Sequence, residues 1–214
     1  MKKYFLIFCF IFFGPIAYGQ SNTVYKIDAE LNPEDQTLLI RQKVEFNNNS
    51  EFGIDKLFLE DWSNSYSNTD TKLAKRISDE YSRSFSFSNK RQRGYTTINK
   101  LYSENLEEWQ RLEDSDIIEL KLSKPLLSKE SIEIIIDYSI KFPDSRFTGF
   151  GYDDDNFYLK NWIIVLSSLN KSKWAKESNL NLDDQSINFS DYYIVFKIKK
   201  DYRLFSNLEK LSED

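Results

Sequence analysis

From Ile132 to Ile140 the chain alternates without a break. Ile132, Ile134, Ile136, Tyr138 and Ile140 share one parity, and Glu133, Ile135, Asp137, Ser139 and Lys141 share the other. Successive side chains of an extended strand point to opposite faces, so a period of two puts the first set on one side of a sheet. The same signature occurs at Tyr25, Ile27, Ala29 and Leu31, and after an Asn32-Pro33-Glu34-Asp35 turn at Leu38, Ile40, Gln42, Val44 and Phe46. Asn47 to Ser50 closes that strand, and Ile54 to Leu59 gives a third, ending near Trp62. The simplest pairing for the three is an antiparallel meander. Ile117, Ile118, Leu120 and Leu122 predict another strand. Lys124 to Glu130, with Pro125, reads as a loop, and Phe157 to Leu166 and Tyr192 to Ile198 are the last strong strands.

One stretch changes period. Between Thr69 and Phe85, Leu73, Ile77, Tyr81 and Phe85 recur every four residues against Lys72, Lys75, Arg76, Asp79 and Glu80, which predicts an amphipathic helix with Asp70 near its start. Ser84 to Gly94 is a polar, basic loop. Tyr95 to Tyr102 and Leu106 to Leu112 are ambiguous: Leu106, Trp109 and Leu112 have helical spacing, but the Ser103-Glu104-Asn105 turn favours a hairpin, which is the expectation taken. Many short strands and one helix predict a mostly β fold, a single β-sandwich or saddle-like antiparallel sheet domain with one edge helix.

The N-terminus reads as a targeting segment. Lys2 and Lys3 precede the apolar run Tyr4 to Phe13, then come Gly14-Pro15 and Ala17-Tyr18-Gly19, the order of a secretory signal peptide. The run falls short of the roughly 20 residues of a membrane span, and Pro15 interrupts it. Cleavage is expected after Gly19, giving a signal peptide over residues 1–19 and one domain over 20–214. Cys9 lies too early to be a lipidated cleavage residue, and a mature chain without cysteine has no disulfides, so its core alone must hold it together. Loss of Lys2 and Lys3 moves the formal charge from −5 to −7. Such a chain repels phosphates, which argues against nonspecific nucleic-acid binding.

The C-terminal third carries a further order. Gly149 to Trp162 reads GFGYDDDNFYLKNW, followed by Ile163-Ile164-Val165, Trp174, NLDDQ (Asn181 to Gln185), DYYIVFKI (Asp191 to Ile198) and DYRLFSNLE (Asp201 to Glu209). This succession of aromatic-glycine turn, acidic loop, aromatic strand ending in Asn-Trp, loop and second apolar strand resembles the N-terminal β-domain of secreted bacterial zinc metallopeptidases of the aminopeptidase-N type, the gluzincin aminopeptidases. The stretches Tyr25 to Ser50 and Leu126 to Pro143 fit the same domain, so the resemblance spans most of the mature chain. It is a pattern of strands and turns, not a catalytic signature. It implies a domain that packs on a catalytic domain and helps wall its cleft, with zinc held elsewhere by a His-Glu-x-x-His helix and a further Glu.

This chain contains no histidine, and a catalytic zinc normally takes three protein ligands, usually including His. Either it is a fragment of a longer peptidase or it is a relative that has lost the chemistry. No catalytic, cofactor-binding or metal-ligating residue is assigned, and zinc is expected only in a missing catalytic domain. In the resembling family a Gln or Glu before the last strands often grips the substrate amine. Ile163 to Trp174, IIVLSSLNKSKW, offers neither, so no substrate-binding residue is carried over.

The remaining candidates each have a plain structural reading. Asp153-Asp154-Asp155-Asn156 has the hard oxygens that calcium prefers, but no EF-hand register, and reads as a solvated hairpin turn. Asp183-Asp184 reads the same way. Trp62, Trp109, Trp162 and Trp174 would make a sugar-stacking platform if they shared a face, but aromatics on strands are first of all core. Trp162 is expected to be buried on a strand and Trp174 to be the more exposed candidate. Lys90, Arg91 and Arg93 read as a solvated basic loop.

The function expected is therefore that of a noncatalytic N-terminal domain, inactive alone, of an exported aminopeptidase-like zinc metallopeptidase, periplasmic or extracellular. It would scaffold and border a catalytic domain in cis or in trans, meeting peptide substrate only through that domain. DYRLFSNLEKLSED stops just past a strand, which the fragment reading would explain. Uncovered apolar surface is then expected near Trp174, Tyr202 and Phe205. A stand-alone extracellular β-sandwich module binding peptide or glycan is the alternative, and a structural envelope protein is the third.

Overall fold

A computed structural model of the protein describes residues 23–80, 82–113, 115–182 and 185–212. Residues 1–19, expected to be a signal peptide and including Cys9, as well as Tyr81 and Asp183-Asp184, lie outside the described residues.

The first two strands, β1 (Thr23–Asn32) and β2 (Thr37–Asn47), pair antiparallel from Thr23↔Phe46 to Asn32↔Thr37. Their turn is held by Asn32, whose Nδ2 donates to Asp35 Oδ2 at 2.9 Å, and by Gln36, whose N–H donates to the Pro33 carbonyl and whose φ is 53°. Strand β3 (Ile54–Glu60) then leaves the sheet, against the meander expectation. Leu57, Phe58 and Leu59 are buried in succession, so the strand is covered on both faces, which is the environment of an inner layer and not of a one-sided hairpin.

The predicted helix over 69–85 is shorter. Helix α1 (Lys72–Asp79) is capped by Thr71, not Asp70: the Thr71 hydroxyl accepts from the Ala74 N–H at 3.2 Å. Leu73, Ala74 and Ile77 are buried on its inner face. Phe85 is buried too, but in a turn beyond the helix end. On a straight helix Leu73 and Phe85 would sit about 120° apart around the axis, too far to face one core.

Strands β4 (Tyr95–Tyr102) and β5 (Leu106–Arg111) exist, but they do not form the expected hairpin. The Ser103–Asn105 turn hands the chain from one sheet to the other, so β4 pairs with β7 and β5 with β6. Strand β6 (Ile117–Leu126) runs through Pro125, which was expected in a loop. Its pairing to β3 breaks register there, and an irregularity is where a strand tolerates proline. Strand β7 (Ser131–Lys141) is the alternating strand read from sequence, with Ile134, Ile136 and Ile140 wholly buried.

The single strand expected over 157–166 is broken. β8 (Gly151–Asp153) and β9 (Asn156–Tyr158) form a small hairpin, Asn161 turns the chain at φ 49°, and β10 (Val165–Leu166) joins β3. β11 (Ser168–Asn170) and β12 (Lys173–Ala175) form a second small hairpin, and β13 (Ser190–Lys197) closes the series.

The larger sheet has the order β13-β1-β2-β7-β4 and the second the order β10-β3-β6-β5. The fold is thus mostly β and sandwich-like, with one α-helix among the described residues. β13 departs from the antiparallel pattern by running parallel to β1, from Thr23↔Ser190 to Glu30↔Lys197. One apolar core joins the two sheets and includes Tyr25, Ile40, Leu57, Leu59, Leu120 and Ile134. On the outer face of the larger sheet, Lys26 pairs with Glu45 and Lys43 with Glu133 across strands.

Gln42 is the polar member of the core set on β2. Its Nε2 donates to the Ile164 carbonyl at 2.5 Å and its Oε1 accepts from the Tyr138 hydroxyl at 2.8 Å. The Ile164 N–H in turn donates to the Tyr138 hydroxyl, and the Leu166 N–H to the Tyr25 hydroxyl at 2.9 Å. Three side chains of the larger sheet therefore satisfy the backbone that enters β10, where no regular ladder reaches it.

Candidate functional site

The polar groups that converge most closely lie where β3 ends. Glu60 and Asp61 follow the apolar run Leu57-Phe58-Leu59 directly, and Asp116 precedes Ile117-Ile118 on the neighbouring strand. All three carboxylates are buried, Glu60 at 0% exposure. Strand pairing brings them together: the Asp61 N–H donates to the Asp116 carbonyl at 2.7 Å, and Val165 lies opposite Glu60.

Each carboxylate has a different task. Asp61 accepts from Arg111 Nη2 at 2.7 Å and from the Thr96 hydroxyl at 2.8 Å, tying β5 and β4 to the end of β3. Glu60 accepts from the Glu177 N–H at 3.2 Å and from Gln185 Nε2 at 3.0 Å. Asp116 accepts from the Asn179 N–H at 2.8 Å. Residues 176–182 and 185–189 form no strand or helix, and these side-chain acceptors stand in for a ladder. Trp62 Nε1 donates to the Glu177 carbonyl, Asn179 Nδ2 to the Ser65 hydroxyl, and the Ser168 hydroxyl to the Ser186 carbonyl. The segment is thus strapped over the end of the sandwich.

Burial sets the electrostatics. It pushes Glu60 up to about 7 and Asp116 up to about 6, the N–H donors offsetting it only in part. Burial also raises Asp61, against the pull of the Arg111 guanidinium. All three are committed to partners inside the fold, which suits them to holding the strap and not to acid–base work on a bound substrate.

Beside the strap lies a crevice bordered by Trp62, Ser63, Tyr66, Lys160, Asn161 and Asn181. Its free volume is ≈ 10 Å³, room for about one water and far below the roughly 300–1,000 Å³ of a ligand pocket. A wider groove of ≈ 330 Å³ crosses the outer face of the larger sheet between Asp28, Glu30, Arg41, Asp137 and Lys197. Arg41 and Asp137 face one another there at 3.7 Å.

The residues singled out in the sequence do not come together. Asp153, Asp154, Asp155 and Asn156 form the exposed tip of the β8–β9 hairpin, with Asp154 at φ 50° and Asn156 Nδ2 donating to the Asp153 carbonyl. Among the described residues, no group of three or more Asp, Glu, Cys or His side chains is placed to hold a metal ion. Arg93 folds back on its own loop, its Nη2 donating to the Ser88 carbonyl at 2.6 Å, while Lys90 and Arg91 stay exposed.

The tryptophans scatter. Trp62 is buried, and Trp109 lies exposed on β5. Trp162 is half-buried on an irregular segment, edge-on to Phe196, not buried on a strand as expected. Trp174, expected to be exposed, is half-buried between Phe46 at 6.4 Å and Phe58 at 6.1 Å. The carboxylates of the strap escaped the sequence reading because acids at strand ends ordinarily face water. Only the unalternating burial of Leu57 to Leu59 marks Glu60 as enclosed.

Known proteins add little to this geometry. No family model matches the chain, and no curated protein matches it. Solved structures similar to it include a mutant M1 zinc metallopeptidase from Deinococcus radiodurans, at 10% identity and a TM-score of 0.34 over 56% of this chain and 20% of that one. A mutant two-domain M1 zinc metallopeptidase bound to L-arginine matches at 11% identity and a TM-score of 0.39, over 83% of this chain and 32% of that one. The chain spans between a fifth and a third of the length of these two structures.

Proposed function

We propose that the chain serves as the noncatalytic N-terminal β-domain of an exported, aminopeptidase-like zinc metallopeptidase, scaffolding and bordering a catalytic domain carried on other sequence. The observation that carries this reading is the apolar surface left by the segment after β13. Leu204, Phe205, Leu208 and Leu211 are all exposed, Phe205 at 88%, and Phe189 before β13 is exposed at 78%. Of the three residues expected to lie open, Phe205 does, while Tyr202 packs on Phe157 and Trp174 on Phe46 and Phe58. Contacts between domains typically cover about 600–1,500 Å², and a run of large apolar side chains of this kind is the raw material for one.

Two results are expected. The purified chain will hydrolyse no aminoacyl-anilide in a chelator-sensitive way, because it has no imidazole to ligate a catalytic zinc. Chelator-sensitive turnover would overturn the noncatalytic assignment. While still folded, the chain will also bind a hydrophobic dye and form a complex with a separately produced peptidase domain bearing His-Glu-x-x-His from the same source. The combined change Phe205→Ser, Leu208→Ser and Leu211→Ser will abolish both without lowering the melting temperature, since none of the three supports the core. No complex with the peptidase domain, together with saturable binding on a peptide or glycan array, would replace this reading by the stand-alone module.

A further inference from the structure

Residues 176–182, which follow β12, are held to the sandwich by polar ties and by little apolar packing. They form no strand or helix, Leu182 is exposed at 55%, and Leu180 is half-buried. The ties run to the end of the sandwich below. Glu60 takes the Glu177 N–H, and Asp116 takes the Asn179 N–H. Trp62 Nε1 donates to the Glu177 carbonyl, and Asn179 Nδ2 to the Ser65 hydroxyl. A segment that buries little apolar surface can open while the rest of the fold stays closed. This one also shuts a space: Asn179 and Asn181 form one wall of the one-water crevice whose other side is Trp62, Ser63 and Tyr66.

We propose that residues 176–182 are a pH-operated strap, closed on the sandwich while Glu60 and Asp116 are protonated and released as the two ionise, so that the crevice along Trp62, Ser63 and Tyr66 opens to solvent. The surroundings give the two acids no counter-charge. Glu60 is faced by Glu177 from the strap, by the Tyr25 hydroxyl from β1 and by Asp61, its neighbour in sequence. Asp116 is faced by Asp61. Ser167 and Ser178 bring only neutral hydroxyls beside the pair. The nearby cations are engaged elsewhere: Arg111 of β5 pairs with Asp61 at 2.7 Å, Lys56 of β3 with Glu119 at 3.0 Å, and Lys176 lies over the Phe58 ring at 4.6 Å. An ionised Glu60 or Asp116 is therefore better placed in water, and it reaches water by releasing residues 176–182, which breaks no sheet ladder. The sign follows from burial, which raises both acids in the closed form, Glu60 to about 7 and Asp116 to about 6. Closure is strongest near pH 4.5 and below, and it weakens as pH rises to about 7. The strap works within this chain and does not depend on the partner domain proposed above.

Native-state amide exchange of the purified chain, read residue by residue by NMR at pH 5 and pH 8 and corrected for intrinsic exchange rates, tests this. The amides of Glu177 and Asn179 are expected to be less protected than those of Ile134 and Ile136 in β7 at both pH values. Low urea should leave their exchange unchanged while it speeds exchange in β7, the mark of a local opening. Their protection is expected to fall by roughly 10- to 100-fold from pH 5 to pH 8. The double change Glu60→Gln with Asp116→Asn is expected to flatten that fall. Glu177 and Asn179 amides that exchange only through the urea-sensitive opening of β7 overturn the proposal, and so does a local opening that is the same at both pH values. The parent chain alone decides both points, whether or not the double variant folds.

Discussion

Ile134→Asp is expected to leave no cooperative unfolding transition at neutral pH. Ile134 is fully buried in β7, opposite Val44 of β2 and one residue past the last β4 pair at Ile135, and the inner face of that strand packs against the second sheet. Burying an acid there without a hydrogen-bond partner costs about 2–7 kcal/mol even in the neutral form, and the lost isoleucine packing adds to it. A domain's whole stability is about 5–15 kcal/mol. Ile136→Asp should behave alike, because Ile136 points the same way and is equally buried. Ile135→Asp is the control: Ile135 is half-buried on the outer face with Lys43 opposite, and it should cost no more than about 1–2 kcal/mol. Chemical denaturation followed by circular dichroism reads all three. Native-like transitions for Ile134→Asp and Ile136→Asp would mean that the sandwich core lies elsewhere.

The contrast between Ile134 and Ile135 shows what periodicity conveys. A period of two is a local property, and it identified β1, β2 and β7 with their inward faces. Which strands become neighbours is decided by burial across the whole chain, and there the sequence reading failed. Nothing local distinguishes a Ser-Glu-Asn turn that closes a hairpin from one that carries β4 to one sheet and β5 to the other. The departure of β3 was nearer to being readable. Leu57, Phe58 and Leu59 do not alternate, and a run buried on both faces belongs to a covered layer. The split of 157–166 hinges on Asn161 in the left-handed region, a conformation that asparagine tolerates but does not announce.

The strap was less legible still. Its anchors come from the end of β3, the start of β6 and from Glu177, Asn179 and Gln185, so that Glu60 meets Gln185 across 125 positions of sequence. No motif spacing spans such a distance, and a buried carboxylate with backbone N–H partners has the same one-letter code as a solvated one. The aromatic candidates failed for the opposite reason. Tryptophan announces itself in a sequence, yet Trp62 and Trp174 are consumed by a strap hydrogen bond and by ring packing, and neither is offered to a ligand.

Stability is expected to fall as pH rises from about 4.5 to about 7, and Glu60→Gln should remove much of that slope. Glu60 is raised in the folded state from an ordinary 4.5 to about 7, and Asp116 from 3.8 to about 6. Between those limits the folded chain holds protons that the unfolded chain has released. The unfolded state then binds fewer protons, and unfolding free energy decreases with pH. The stabilisation is fully present below the unfolded values and gone above the folded ones. For Glu60 the shift corresponds to about 3 kcal/mol, and for Asp116 to a similar amount. The like charges beside them, Glu177 near Glu60 and Asp61 near Asp116, act in the same direction, and Arg111 is already engaged by Asp61. The lowered acids Glu34, Glu45 and Glu119 act the other way; Glu34 and Glu45 are solvated and their pairs with lysines are screened, while Glu119, half-buried against Lys56, offsets part of the slope in parent and variant alike. Gln at position 60 keeps an acceptor for the Glu177 N–H and cannot ionise. At pH 8 the variant should therefore be more stable than the parent by up to about 3 kcal/mol, with little difference at pH 4.5. Urea unfolding at half-unit steps from pH 4.5 to 8 gives both slopes. Parallel curves for parent and variant would show that Glu60 is hydrated in the folded chain, and with it that Glu177, Asn179 and Gln185 do not lie where the two carboxylates hold them.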